Sequence, residues 1–323
     1  MPNKNTTSDI IRVGDVHIPA GMCRRADLPV AQLPTQNEVS IPIQVVNGVE
    51  NGPRLWVNAA IHGDEINGVE IVRELLGELD PQQMRGTVFA VPIVNVFGFV
   101  YESRYLPDRR DLNRSFPGSS GGSLAARLAH LFMTEIVAQC THGIDLHTGS
   151  NERVNLPHIR AQLDDAATRE VAEAFAAPVM LSSGGPDGSL RGAVQKIGKP
   201  ILVFEGGEPR RFDASSVAVG LEGILRVMNA LGMRDHQPAE LDYEPREVAR
   251  KRWIRATRAG ILRLNKYSGA HVQKGECLGT IGDAFGTETC EVTAAFDGQI
   301  ISHVNNPLVH QGDAIVHLAE LRA

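Results

Sequence analysis

Residues 54–79, RLWVNAAIHGDEINGVEIVRELLGEL, decide the fold class of this chain. The first eight are almost unbroken in apolar character, as in a strand that is buried on both faces of a sheet. The later apolar residues instead recur at helical spacing, and Pro81 lies just past the last of them. The pattern predicts a strand over 54–61, a short loop that begins at His62, and a helix over 66–79.

The same alternation extends on both sides of this stretch. Strands are also predicted over 40–47, 87–94, 143–146, 179–181 and 201–204. Helices are also predicted over 124–140, 165–176 and 215–231. Strands that alternate with helices indicate an α/β domain whose mixed central sheet is flanked by helices. Ligands of such a sheet bind at the carboxyl ends of its strands.

The composition changes after the last predicted helix. Residues 232–247, GMRDHQPAELDYEPRE, are polar and indicate a linker, and only short β-like segments with glycine turns follow. We therefore divide the chain into an α/β domain over residues 1–240 and a C-terminal all-β barrel over residues 241–323. The barrel resembles the biotinyl/lipoyl carrier fold, but its hairpin FGTETC has Thr287 near the position where a carrier has its lysine. We expect a structural or substrate-gating barrel and not a carrier.

Composition limits the classes of partner and the compartment. A net charge of -6 over 323 residues argues against a basic surface for nucleic acid or for an anionic membrane. The first ten residues, MPNKNTTSDI, lack the apolar core of a secretory signal, and no apolar run approaches the ~20 residues that span a bilayer. Four widely separated cysteines without a CxxC pair indicate reduced thiols. We expect a cytoplasmic protein with no nucleic-acid or membrane partner.

Two motifs at strand ends suggest a metal site. His62 and Glu65 are three residues apart in a turn and can point at one ion, although on their own they could equally cap the helix that follows. His147, in the motif DLHTG, follows another predicted strand and supplies a third ligand. Two histidines and a glutamate with one open position are typical of catalytic zinc, so we predict one Zn²⁺ per chain. Either Asp145 or a neighbouring carbonyl would orient a ligand histidine.

Acidic and basic residues near these motifs are candidates for catalysis and binding. Glu205 directly follows the predicted strand 201–204 and is the better candidate for a general base, whereas Glu208 lies further into the turn. A local anion site is suggested by arginines that bind carboxylates through paired hydrogen bonds, namely Arg104, Arg109, Arg110 and Arg114. For Arg109 and Arg110 we prefer a solvated loop.

Roughly residues 40 to 320 resemble the succinylglutamate desuccinylase/aspartoacylase group, a branch of the zinc carboxypeptidase-like hydrolases. The resemblance rests on HGDE, RYLPDRRDLNRSFPG, DLHTG, SLRG, FEGGE and the terminal barrel. It implies a zinc-carboxypeptidase-like sheet, with zinc ligands His62, Glu65 and His147. It also implies that Glu205 is the general base and acid and that Arg104 polarises the scissile carbonyl, a role for which Arg109 competes. The residues that grip the substrate's carboxylates would be Asn113, Arg114 and Arg191.

These observations predict a zinc-dependent deacylase that hydrolyses an amide bond in a small N-acylated amino acid by a metal-activated water. One alternative is a zinc carboxypeptidase that acts on peptides. Another is a ligand-binding homologue without activity, although the three ligands and the base are all present. The sequence does not specify the acyl group or the amine. A homo-oligomer stays possible because symmetric dimers are common among soluble enzymes, although nothing in the sequence specifies a seam.

Overall fold

A computed structural model describes residues 8–322. Residues 1–7, on which the argument against a secretory signal partly rests, lie outside the described residues. The strands up to residue 207 are β1 (Ile11–Val13), β2 (Val16–Ile18), β3 (Met22–Gln32), β4 (Glu38–Asn47), β5 (Glu50–Ala59), β6 (Arg85–Val91), β7 (His142–His147), β8 (Arg153–Ala161), β9 (Val179–Ser182) and β10 (Ile201–Gly207). The α-helices are α1 (Asn67–Glu78), α2 (Val96–Val100), α3 (Leu124–Glu135), α4 (Ala166–Phe175), α5 (Leu190–Lys196) and α6 (Ala214–Ala230).

The strands and helices predicted from the alternation are confirmed, with ends that differ by a few residues. The predicted helix over 124–140 ends as α3 at Glu135 and continues as a 3-10 turn over Val137–Gln139. Six elements were not predicted, namely the three N-terminal strands β1 to β3, the short helix α2, the strand β8 and the helix α5. Of these, β8 and α5 contribute to the candidate site.

The central sheet is mixed and is covered by helices on both faces. β5 pairs in parallel with β6 and β7, and β10 pairs in parallel with β7, whereas β4 and β8 add antiparallel neighbours. One core lies between the sheet and α3 with α5, and a second lies on the opposite face with α1, α4 and α6. In β5, Trp56 belongs to the first core and its neighbours Leu55 and Val57 to the second. This burial on both faces accounts for the almost unbroken apolar run over residues 54–61.

Between residues 246 and 322, strands are the only regular elements. They are β11 (Arg246–Arg255), β12 (Gly260–Leu264), β13 (His271–Val272), β14 (Cys277–Gly282), β15 (Thr289–Thr293), β16 (Gly298–Val304), β17 (Leu308–Val309) and β18 (Ala314–Leu321). β12, β14, β15 and β17 form a four-stranded sheet, and β13 adds to the edge of β16. The prediction of an all-β C-terminal segment is therefore confirmed.

The barrel that closes is shared between the two segments. β8 pairs with β9, β9 with β11, β11 with β18, β18 with β16, and β16 with β8 again, which makes a ring of five strands. Two strands of this ring, β8 and β9, precede the linker. The prediction of a barrel that is closed by the C-terminal segment alone therefore differs from the observed pairing. The edges of β8 and β9 find partners in C-terminal strands, which satisfies backbone groups that would otherwise stay unpaired. The division at residue 240 and the likeness to zinc carboxypeptidases stay predictions.

Two further observations concern the chain as a whole. Within residues 8–322, no helix has both the length and the apolar character that crossing a membrane requires. The four cysteines are free and form no disulfide, in agreement with the prediction of thiols. The cytoplasmic location and the oligomeric state stay predictions.

Candidate active site

The structure brings the predicted metal ligands and the predicted base to one edge of the sheet. β5 and β10 flank β7 in parallel, so the carboxyl ends of three strands are neighbours. His62 lies three residues beyond the end of β5, and His147 is the last residue of β7. Glu205 lies opposite His147 in the β7–β10 ladder. This edge is where ligands of an open α/β sheet bind.

The carboxylate of Glu65 connects the two histidines. Its Oε1 lies 2.7 Å from His62 Nδ1, and its Oε2 lies 2.7 Å from His147 Nδ1. The backbone N–H of Thr148 donates to Oε2 over 3.2 Å. All three of these side chains are buried, and their candidate ligand atoms lie within 4.8 Å of one another. Two imidazole nitrogens and a carboxylate are donor types that zinc prefers, so this cluster could bind a metal ion.

The protonation state of Glu65 suits a ligand. Burial opposes its charge, but the neighbouring His62 and His147 outweigh burial and lower the pKa of the carboxyl well below its usual range. Glu65 is therefore ionised at neutral pH, and the carboxylate is the form that binds a metal.

A chain of buried hydrogen bonds begins at His147 Nε2, the ring nitrogen that does not contact Glu65. His147 Nε2 lies 3.0 Å from Asp145 Oδ2, and Asp145 Oδ1 accepts from Asn58 Nδ2 over 2.7 Å. The Asn58 Oδ1 in turn accepts from the indole N–H of Trp56 over 3.0 Å. Of the two orienting groups that the sequence left open, the structure places Asp145 against His147. A metal ion bound at Nδ1 would require the remaining proton of His147 on Nε2, where the Asp145 carboxylate can accept it.

Arg104 and Asp111 lie on the other side of His62. The guanidinium of Arg104 donates to Asp111 Oδ2 through Nε at 3.1 Å and through a terminal nitrogen at 2.9 Å. Its other terminal nitrogen lies 3.4 Å from Glu65 Oε1 and 3.2 Å from His62 Nδ1. Arg109 is exposed and has a positive φ of 62° in the preceding turn. Of the two competing arginines, only Arg104 lines the cavity described below.

The three predicted substrate-binding residues meet at the N-terminus of α5. Asn113 Oδ1 accepts from the backbone N–H of Leu190 over 2.9 Å, and Arg114 donates to the Asn113 carbonyl over 2.6 Å. Arg191 is 7% exposed, and burial together with Arg160 lowers its pKa to about 10, so it stays charged at neutral pH. Arg114 and Arg191 form no ion pair with a carboxylate in the described part of the chain. Cations in this state are suited to bind an anionic ligand.

Glu205 has a different partner at each oxygen. Oε2 accepts from Asn155 Nδ2 over 2.8 Å, and Oε1 lies 3.6 Å from Arg160 Nε. Both partners come from β8, so neither is among the residues predicted from the sequence. The segment RVNLPHIRA contains the signal that could have revealed the strand, because apolar residues recur through it despite Pro157.

One cavity of about 190 Å³ joins these groups. Its walls include all eight predicted site residues, namely His62, Glu65, Arg104, Asn113, Arg114, His147, Arg191 and Glu205. Asp145, Thr148 and Arg160 also line it. The cavity therefore combines a possible metal cluster, a carboxylate base candidate and several guanidinium groups within one small volume.

Known proteins match this chain over most of its length. Residues 51–231 match the succinylglutamate desuccinylase/aspartoacylase catalytic domain. The N-alpha-acetyl-L-2,4-diaminobutyric acid deacetylase of Halomonas elongata is 28% identical over 313 residues, which cover 90% of each chain. A succinylglutamate desuccinylase/aspartoacylase structure from Rhodobacter sphaeroides is 28% identical, with a TM-score of 0.83 over 93% of this chain and 96% of that one. The product-bound ectoine utilization protein EutE (DoeB) of Ruegeria pomeroyi is 25% identical, also with a TM-score of 0.83, over 98% and 99% of the two chains. The chain belongs to the succinylglutamate desuccinylase/aspartoacylase family.

Proposed function

We propose that this protein is a zinc-dependent deacylase that hydrolyses an amide bond in a small N-acylated amino acid. One zinc ion would be held by His62, Glu65 and His147, and Glu205 would be the general base and acid. The observation that carries the proposal is the convergence of the three candidate ligands and Glu205 on one cavity with Arg114 and Arg191, which have no carboxylate partner within residues 8–322. The fold would be that of the zinc carboxypeptidase-like hydrolases.

The zinc would act as a Lewis acid toward the amide carbonyl and would lower the pKa of water at the site to about 7. Glu205 would take a proton from the attacking water and later return it to the leaving amine. Arg104 would donate a hydrogen bond to the carbonyl oxygen as negative charge develops there. Removing one such donor typically costs about 3 to 4 kcal/mol of transition-state stabilisation.

The substrate end of the cavity favours an amino acid over a peptide. Asn113, Arg114 and Arg191 would hold a substrate carboxylate, since the two arginines have no ion-pair partner within residues 8–322. The cavity volume of about 190 Å³ is below the roughly 300 to 1,000 Å³ of pockets that enclose drug-sized ligands. The relative from Halomonas elongata is named for deacetylation of an N-acetylated amino acid, which agrees with this substrate class.

The proposal is tested with zinc-loaded protein, a panel of N-acyl amino acids and matched short peptides. We expect turnover of at least one N-acyl amino acid and none of the peptides. The Glu205→Gln variant should lose at least about a hundredfold in kcat while its zinc content, measured by elemental analysis, is unchanged. Near-normal turnover by this variant would remove Glu205 from the mechanism. Peptide hydrolysis at a higher kcat/KM would favour the carboxypeptidase alternative.

A further inference from the structure

Asn155 contacts the candidate base from outside the cavity. Its side chain is buried, with 6% of the residue exposed, and its Nδ2 donates to Glu205 Oε2 over 2.8 Å. Asn155 is not among the residues that line the cavity. Within the described residues, its side chain contacts the candidate site through the Glu205 carboxylate.

The chemistry of this contact suits a group that must gain and lose a proton. An asparagine Nδ2 can only donate, and a carboxyl oxygen can accept from it whether or not the other oxygen carries a proton. The bond to Oε2 is thus compatible with both protonation states of Glu205. Arg160 Nε, at 3.6 Å from Oε1, is beyond the usual range of an N–H···O hydrogen bond, so Oε1 is the oxygen that is left for proton exchange.

C-terminal strands hold the backbone that carries Asn155. In the β8–β16 ladder Asn155 lies opposite Ser302, and the hydroxyl of Ser268 donates to the carbonyl of Val154 over 3.0 Å. The guanidinium of Arg153 lies 5.2 Å from the centre of the Trp253 ring. The start of β8 is thus fixed by residues beyond 246, which restricts where the Asn155 amide can point.

We propose that Asn155 is a positioning residue, which holds the Glu205 carboxylate in the orientation for proton transfer. The proposal rests on the proposed role of Glu205 as general base. It predicts that loss of the Asn155 amide lowers kcat and leaves both KM and zinc content unchanged.

The test is a double-mutant cycle on kcat between Asn155→Ala and Glu205→Gln. Asn155→Ala alone should lower kcat by about 10- to 100-fold, the equivalent of one hydrogen bond to a charged group. In the Glu205→Gln background the same change should alter kcat by less than about twofold, because the group that Asn155 orients no longer takes a proton. Asn47→Ala is the matched control, since Asn47 is also a buried hydrogen-bonded amide but lies on β4. It should lower the unfolding temperature and leave kcat unchanged.

An equal loss of kcat in both backgrounds, or a loss that resides in KM or zinc content, would overturn the positioning role. If Asn155→Ala does not fold, the positioning role is tested with Asn155→Asp. This variant keeps the side-chain volume of asparagine but places a second carboxylate next to Glu205. That variant should lose at least as much kcat as expected for alanine, and wild-type turnover would refute the proposal. Turnover retained by Glu205→Gln alone would instead contradict the proposed function.

Discussion

Gly63, between Asp64 and the proposed metal ligand His62, offers a sharp test of how the HGDE loop is built. The loop passes so close to α2 that a Cβ on Gly63 would lie 1.9 Å from the carbonyl carbon of Gly98 and 2.1 Å from the backbone nitrogen of Phe99. Both contacts are to backbone, which cannot rotate away as a side chain can. The glycine is therefore required by a close approach of two chain segments.

The size of the effect of Gly63→Ala follows from these distances. Cβ contacts shorter than 3.0 Å essentially never occur, so the loop and α2 must separate by about 1 Å. Overpacking of this kind typically destabilises a fold by about 1 to 3 kcal/mol. Gly63 lies within two residues of both His62 and Glu65, and a displacement of about 1 Å at a reacting geometry can lower the rate by about a hundredfold.

The assay combines kcat/KM, zinc content and the free energy of unfolding for Gly63→Ala and for Gly77→Ala. Gly77 is an exposed residue of α1, and a Cβ there would have no atom within 4 Å. Gly77→Ala should raise the free energy of unfolding by about 0.5 to 1 kcal/mol with unchanged activity, because alanine is the better helix former. For Gly63→Ala we expect about a hundredfold loss in kcat/KM. Wild-type kcat/KM together with full zinc occupancy would refute the reasoning.

Two further variants test the ligand set and the pH dependence of stability. His147→Ala should hold less than one zinc per chain by elemental analysis, and full occupancy would mean that the ligand assignment is wrong. Burial and the cations Arg160, Lys251 and Arg153 lower the pKa of His317 to about 3. Below about pH 6.5 the unfolded chain binds a proton at this position and the folded chain does not. The free energy of unfolding therefore decreases as the pH is lowered, by about 2 kcal/mol at pH 5. His317→Gln should remove about that much of the loss measured by denaturant unfolding at pH 5 relative to about pH 7.5, and an unchanged loss would contradict the pKa assignment.

Local sequence patterns predict the part of the site that lies at the ends of strands buried on both faces of the sheet. The apolar run of β10 is continuous, and those of β5 and β7 are interrupted by Asn58 and Asp145. A polar residue that ends such a run lies at the strand end where ligands bind. His62, His147 and Glu205 could be placed in this way from the sequence. Their mutual distances could not, because these depend on the order of the strands in the sheet, which local periodicity does not encode.

The strand β8 has a recognisable apolar signal, but its contacts with Glu205 could not be predicted. It buries polar groups in a strand that periodicity rules expect to be apolar on the buried side. His158 is fully buried, and its Nδ1 contacts the carbonyl of Leu156 at 2.7 Å, while Arg160 Nε donates to the other ring nitrogen over 3.2 Å. Pro157 lies where the pairing with β10 changes register, a position at which a strand tolerates proline. His158 thus has its partners two positions away in the same strand, whereas Asn155 donates to Glu205 of β10, a partner that only the fold supplies.

The shared barrel extends this argument to the C-terminal segment. Its β-character follows from short segments and glycine turns, but the choice of β8 and β9 as partners for β16 and β11 is a long-range pairing. Without the C-terminal strands, β8 and β9 would present unpaired edges, and unpaired edges are unfavourable and prone to aggregation. The segment that holds Asn155 against Glu205 would lose its outer neighbour at the same time. The C-terminal strands are thus joined to the candidate site through backbone pairing as well as through side chains, which is the physical basis for a structural role of the barrel.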